Sequence, residues 1–141
     1  MDAAIHRAAG PELLRACLEL GGSSTGTALI TPGFQLKARH VIHAVGPIFM
    51  GGDRGEERLL ASAYRSALEL CESHDLHSVA FPSIATGAYE YPPDDACRIA
   101  VETVSGWLEI HALPETVVFC CFEEENARRY ANRLGISVER L

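Results

Sequence analysis

Short apolar runs alternate with longer stretches of helical period along this chain, and that alternation restricts the fold more than any other feature. The apolar runs are Thr27 to Thr31, His40 to Val45, Ser78 to Pro82 and Thr116 to Phe122. Runs of this length read as strands, and Pro32-Gly33 and Gly46-Pro47 close the first two. Glu56 to Ser73 instead repeats Leu60, Tyr64, Ala67, Leu68 and Cys71 at the spacing of one helix face. Pro93 to Ile110 does the same with Ile99, Val104, Trp107 and Leu108. Asp2 to Ala9 reads as a short helix, interrupted by Gly10-Pro11. Pro11 suits the first turn of a second helix to Leu20, with Leu13, Leu14, Cys17 and Leu18 on one face, ended by Gly21-Gly22. Glu123 to Leu134 is the last helix, capped by Gly135. Thr116 to Phe122 is nearly all apolar, which predicts a strand buried on both faces. Helices between strands predict an α/β architecture, a mostly parallel sheet between helical layers. The 141 residues amount to one domain, 1–141.

Composition narrows the partners. A net charge of −7 argues against non-specific binding to duplex nucleic acid, which requires a dense Lys/Arg surface. No apolar run is long enough to cross a bilayer and no leader pattern opens the chain, so the expected location is cytoplasmic. Five cysteines without a C-x-x-C pair fit reduced thiols. Cys17, Cys71 and Cys97 fall in helical patterns, and Cys120-Cys121 inside the last apolar run. The six histidines show no metal-ligand spacing, so neither a metal nor another cofactor is expected.

The run Phe81-Pro82-Ser83-Ile84-Ala85-Thr86-Gly87-Ala88-Tyr89-Glu90-Tyr91-Pro92 follows a strand and precedes Pro93-Asp94-Asp95, a helix start. Strand, tight loop and helix N-terminus together present backbone N–H groups and a favourable dipole to an anion. The loop has no Lys or Arg, so an anion here would be held by backbone and hydroxyls. Small residues also suit a plain connector, and the loop alone leaves both readings open. Ligands of such sheets sit beyond the carboxyl ends of strands, where this loop lies.

Several motifs in order resemble macrodomains of the MacroD type: Asp2-Ala3-Ala4-Ile5-His6-Arg7-Ala8-Ala9-Gly10, Thr25-Gly26-Thr27-Ala28, Thr31-Pro32-Gly33, His40-Val41-Ile42-His43-Ala44-Val45-Gly46-Pro47 and the Ser83–Pro92 loop. The likeness runs through essentially the whole chain. It implies a three-layer α/β/α sandwich with a mixed, mostly parallel sheet. It implies binding of ADP-ribose or O-acetyl-ADP-ribose, and metal-independent hydrolysis of ADP-ribosyl esters, whether deacetylation or removal of ADP-ribose from acidic side chains of modified proteins. Ser83, Ile84, Ala85, Thr86, Gly87, Ala88 and Tyr89 would wrap the diphosphate and distal ribose. Asp2 matches an acidic residue beside that ribose, implicated in positioning water. His6 is one turn further on and can share its face, orienting Asp2 or a ribose hydroxyl, or merely covering the helix. Phe122 matches an aromatic position near adenine.

The departures generate further expectations. The family has an Asn-rich loop and a glycine run just before the residues matching Asp2, and further strands upstream of them. None of these is in this chain, which therefore reads as an N-terminally truncated macrodomain. One of the family's strands would lie between His40–Val45 and Ser78–Pro82. Without it, two strand edges stay unpaired, which favours a repaired pairing or a dimer through those edges. Ala88 replaces a bulkier aliphatic, and Glu90 replaces Gly. A non-catalytic ADP-ribose reader and an inactive remnant stand as alternatives to the hydrolase. His43, mid-strand, reads as structural, and Asp94 and Asp95 as helix-start charges.

Overall fold

A computed structural model describes residues 2–136. Among these residues, five helices and four strands follow the expected order. α1 (Asp2–Ala9) and α2 (Pro11–Leu20) are parted at Gly10, whose φ of 90 suits glycine. β1 (Ala28–Pro32) and β2 (His40–Ala44) pair antiparallel, with Ala28 opposite Ala44 and Ile30 opposite Ile42. α3 (Glu56–Ser73) leads to β3 (Ser78–Phe81), and α4 (Pro93–Ile110) to β4 (Thr116–Phe119). β3 and β4 pair in parallel, Phe81 opposite Phe119, as a crossover helix requires. α5 (Glu124–Leu134) closes the described chain.

The core forms where the apolar stripes of α3 and α4 meet β3 and α5: Leu60, Tyr64, Leu68, Phe81, Ile99, Val104, Trp107 and Tyr130 are all buried. α3 packs on β1 and β2 as well as on α4. The strands therefore form two two-stranded sheets rather than one. Between β2 and β3 lies a cavity of about 560 Å³, lined by His40–Ile42 and Ala44 on one side and Ser78–Phe81 on the other. Ala67 and Cys71 of α3 also line it. This is where the sequence led us to expect two unpaired strand edges. Among the described residues neither β2 nor β3 has a second strand partner.

Several expectations fail. The last strand ends at Phe119, so Cys120 and Cys121 lie beyond it rather than inside. Its partner β3 stops at Phe81, whose carbonyl accepts a final N–H from Cys120 at 2.7 Å, and the ladder has nowhere to continue. Nor is β4 buried on both faces. Phe119 packs inward on Tyr130 of α5, while Val118 is 48% exposed on the face it shares with Ala80. On α2 only Leu13 is buried, and Leu14 and Leu18 face outward because no described element covers that side. Leu108 sits at the edge of the α4 stripe and is also exposed. No helix among the described residues is long and apolar enough to cross a membrane.

Candidate functional site

β3 delivers the chain to Pro82, and the segment from Ser83 to Pro92 then folds tightly on itself before α4 begins at Pro93. Thr86 Oγ1 donates to the Ser83 carbonyl at 3.2 Å. Glu90 N–H donates to the Gly87 carbonyl at 3.0 Å, and Tyr91 N–H to that of Ala85 at 2.9 Å. Ala85 and Glu90 take left-handed backbone, with φ of 68 and 58. The bonds that shape the loop thus use its carbonyls and leave its middle donors free. Among the described residues, the N–H groups of Ala85, Thr86, Gly87, Ala88 and Tyr89 donate to no protein acceptor. A run of unpaired backbone donors ahead of a helix N-terminus is an arrangement that can receive an anion.

Two supports hold this loop. Gly46, after β2, lies so close beneath it that a Cβ there would meet Ile84 Cγ2 at 2.7 Å and Ala85 Cβ at 3.1 Å. At the far end, Phe49 N–H donates to the Tyr89 carbonyl at 2.9 Å, and Tyr91 packs edge-on against the Phe49 ring at 5.0 Å. The segment carrying Phe49 is itself fastened by Glu56 at the start of α3. Its carboxylate accepts N–H groups from Met50 and Gly52 at 2.9 Å and from Arg54 at 2.6 Å. Those bonds, Met50's foremost, outweigh burial and hold the Glu56 carboxyl down at about 2. Sequence reasoning missed this carboxylate. The signal available was Gly51-Gly52-Asp53-Arg54-Gly55 running straight into a Glu at a helix start. Tyr89, 40% exposed, lines a cavity of about 290 Å³ with Pro47, Met50 and Arg54. Arg54 brings a cation to that cavity which the loop's own sequence lacks.

The other candidate residues are placed as follows. Asp2 and His6 share a face of α1, with Asp2 Oδ1 3.5 Å from His6 Nε2. Asp2 is 88% exposed there, and His6 is largely covered. Ile5 of α1 and Ile84 of the loop line the same large cavity, so α1 stands beside the loop. Phe122 follows β4 and is 97% exposed. His43 has a structural setting, with Thr31 Oγ1 3.0 Å from its Nε2 and Cys17 Sγ at 3.8 Å. Burial, then the nearby His6, lowers the His43 pKa, while burial, then Asp2, raises that of the Cys17 thiol. Asp94 pairs with Arg129 at 2.8 Å, as a helix-start charge can. No cluster of His, Cys, Asp or Glu among the described residues is arranged to hold a metal ion.

Comparison with known proteins gives a consistent picture. A family model described as Macro domain matches residues 1–100. A macro domain-containing protein of Mesorhizobium japonicum is 57% identical over 130 residues, covering 92% of this chain and 74% of that protein. An O-acetyl-ADP-ribose deacetylase of Salmonella gallinarum is 51% identical over 138 residues, covering 95% and 77%. Among solved structures, the Oceanobacillus iheyensis macrodomain with ADP superposes with a TM-score of 0.89 at 44% identity, covering 95% of this chain and 74% of that one. The Trypanosoma brucei macrodomain in complex with ADP-ribose does so with a TM-score of 0.89 at 39% identity, covering 95% and 56%.

Proposed function

This chain belongs to the macrodomain family, and from that footing we propose that its Ser83–Tyr89 loop binds the diphosphate of ADP-ribose. The observation that carries the reading is the row of free N–H groups from Ala85 to Tyr89. Five consecutive backbone donors without a protein acceptor suit two linked phosphates and need no Lys or Arg in the loop. Ala88 and Tyr89 would meet the distal ribose, and Phe122 the adenine. The ADP-ribose bound to the Trypanosoma brucei macrodomain supports the choice of ligand.

On the same loop we place hydrolysis of ADP-ribosyl esters, supported by relatives named O-acetyl-ADP-ribose deacetylase at about half identity. The diphosphate would anchor the ligand. Asp2, steadied by His6 at 3.5 Å, would hold a water for attack on the ester carbonyl or the anomeric carbon. General-base help of this kind is worth roughly a hundred- to ten-thousand-fold. One observation favours a reader instead: Asp2 is almost fully exposed, so little holds its carboxylate in aim.

Calorimetric titration with ADP-ribose, then turnover of O-acetyl-ADP-ribose by the parent chain and by Asp2→Ala, separates the readings. The hydrolase binds one equivalent and loses turnover, not affinity, in the variant. A reader binds and never turns over. A folded chain that gives no binding heat overturns the proposal.

A further inference from the structure

The first peptide of the loop is held differently from the rest. Ile84 N–H donates to the phenolic oxygen of Tyr64, at 3.3 Å. Tyr64 belongs to α3 and is 1% exposed. Its ring begins a connected row of aromatics beneath the loop. Tyr64 meets Phe81 at 5.0 Å, Phe81 meets Phe119 at 6.5 Å, and Phe119 meets Tyr130 of α5 at 4.9 Å. Tyr64 and Tyr130 thus reach under the loop from two different helices, across the ends of both parallel strands.

Packing alone would be served by phenylalanine at either position, and a buried hydroxyl without a partner is costly. Yet the Tyr130 hydroxyl and Ser83 Oγ are both fully buried, and neither has a partner of good geometry. They lie beside Tyr64: Ser83 and Tyr64 both act on the Tyr130 phenol, and Tyr130 on that of Tyr64. Burial raises both phenols above their ordinary range, so at neutral pH they are uncharged donors. Ser83 therefore turns its hydroxyl inward, toward the tyrosines, and offers an anion its backbone only.

We propose that Tyr64 and Tyr130 are positioning residues for the anion-binding loop, the Tyr64 hydroxyl holding the Ile84 N–H from below and the Tyr130 phenol standing beside it under the Ser83 side chain. Turning that peptide inward sets the direction of the chain through Ala85, so that the following five N–H groups point outward together. The inference rests on the function proposed above for the loop, but its structural half stands in the unliganded protein.

Tyr64→Phe and Tyr130→Phe remove only the hydroxyls. The test is amide hydrogen exchange followed by NMR on the free chain, with calorimetric titration of ADP and of adenosine, which lacks the diphosphate. In the parent chain Ile84 N–H exchanges slowly while 85–89 exchange fast. In Tyr64→Phe, Ile84 exchange accelerates about tenfold or more, the loss of one buried bond, while amides at the centres of α3 and α4 keep their rates. ADP affinity falls about three- to tenfold in that variant, in line with misaligned donors, and adenosine affinity is unchanged. Tyr130→Phe shifts the Ser83 and Ile84 amide resonances and weakens ADP in the same direction. An Ile84 amide that exchanges as fast as its neighbours in the parent chain overturns the proposal, whether or not the variants fold. So does a loss spread evenly over the core, or an equal loss of ADP and adenosine. A parent chain that binds no ADP sinks the proposed function instead, and the Ile84 exchange rate still decides the positioning role.

Discussion

Replacing Glu90 by glycine should make this protein both more stable and a tighter anion binder, for two separable reasons. Glu90 is exposed and holds left-handed backbone at φ 58, where its N–H closes the loop onto the Gly87 carbonyl. A residue with a Cβ gives up roughly 1–2 kcal/mol in that conformation, and glycine does not. Glycine in turn gives the unfolded chain more freedom, which takes back about 0.4–1 kcal/mol. The balance favours Glu90→Gly by about 0.5–1 kcal/mol, which for a chain of this size raises the melting midpoint by about 2–3 °C. Removing the charge acts on the free donors of 85–89. Across an exposed, screened separation it should improve ADP-ribose affinity about twofold, and less at high salt. Glu90→Gln isolates this second effect, giving the affinity gain without the stability gain. Thermal denaturation and calorimetry on the two variants check both halves. A Glu90→Gly protein no more stable than Glu90→Gln would refute the claim that the backbone is strained there. Equal affinities of Glu90→Gln and parent at low salt would refute the electrostatic half.

Two glycines should part company. At Gly87 an added Cβ meets nothing within 4 Å, so Gly87→Ala should leave stability within about 0.5 kcal/mol while weakening ADP-ribose binding, since the methyl group enters the open side of the loop. At Gly46 the Cβ runs into Ile84 and Ala85, so Gly46→Ala should destabilise by about 1–3 kcal/mol in urea unfolding and displace the loop. Glu56 predicts an acid dependence. Its folded carboxyl lies at about 2, below the ordinary value of 4.5, so its contribution is complete above pH 4.5 and is lost as pH falls toward 2. Glu56→Gln should flatten the decline in stability across that window, measured by unfolding at stepped pH.

The long helices were legible because their apolar spacing coincides with burial: Leu60, Tyr64, Leu68 and Cys71 on α3, Ile99 and Val104 on α4. The loop was legible because strand, small residues and a proline-started helix follow one another without a gap in sequence. The end of β4 differs from expectation for another reason. Cys120 and Cys121 look as strand-like as Val117, and what ends β4 is the length of its partner, a property of residues far away in sequence. Leu14 and Leu18 misled because an apolar stripe states what a helix can bury and not whether a neighbour arrives to bury it. Tyr64 reads from its spacing as a core residue, and its ring and that of Tyr130 are both buried. Their convergence under Ser83 comes from tertiary packing of α3 and α5 about β3 and β4, which no local pattern encodes. The glycine expected at position 90 left a trace, since Glu90 keeps the backbone that a glycine would favour.

The split of the strands into two pairs bears on how the molecule opens. Backbone hydrogen bonds usually tie adjacent strands into one cooperative unit, and none runs from β2 to β3. The two halves meet instead through α3, which packs on β1 and β2 and also on α4. That helix, with the contacts of Gly46 and Phe49 on the loop, thus couples an N-terminal lobe to the lobe that carries the loop. Side-chain packing transmits cooperativity less strictly than a shared ladder, so the lobes can open at different free energies. The loop draws support from both sides, Tyr64 from α3 and Gly46 and Phe49 from the chain after β2, so a loosening that detaches β1 and β2 would also release the floor of the loop and weaken ligand binding.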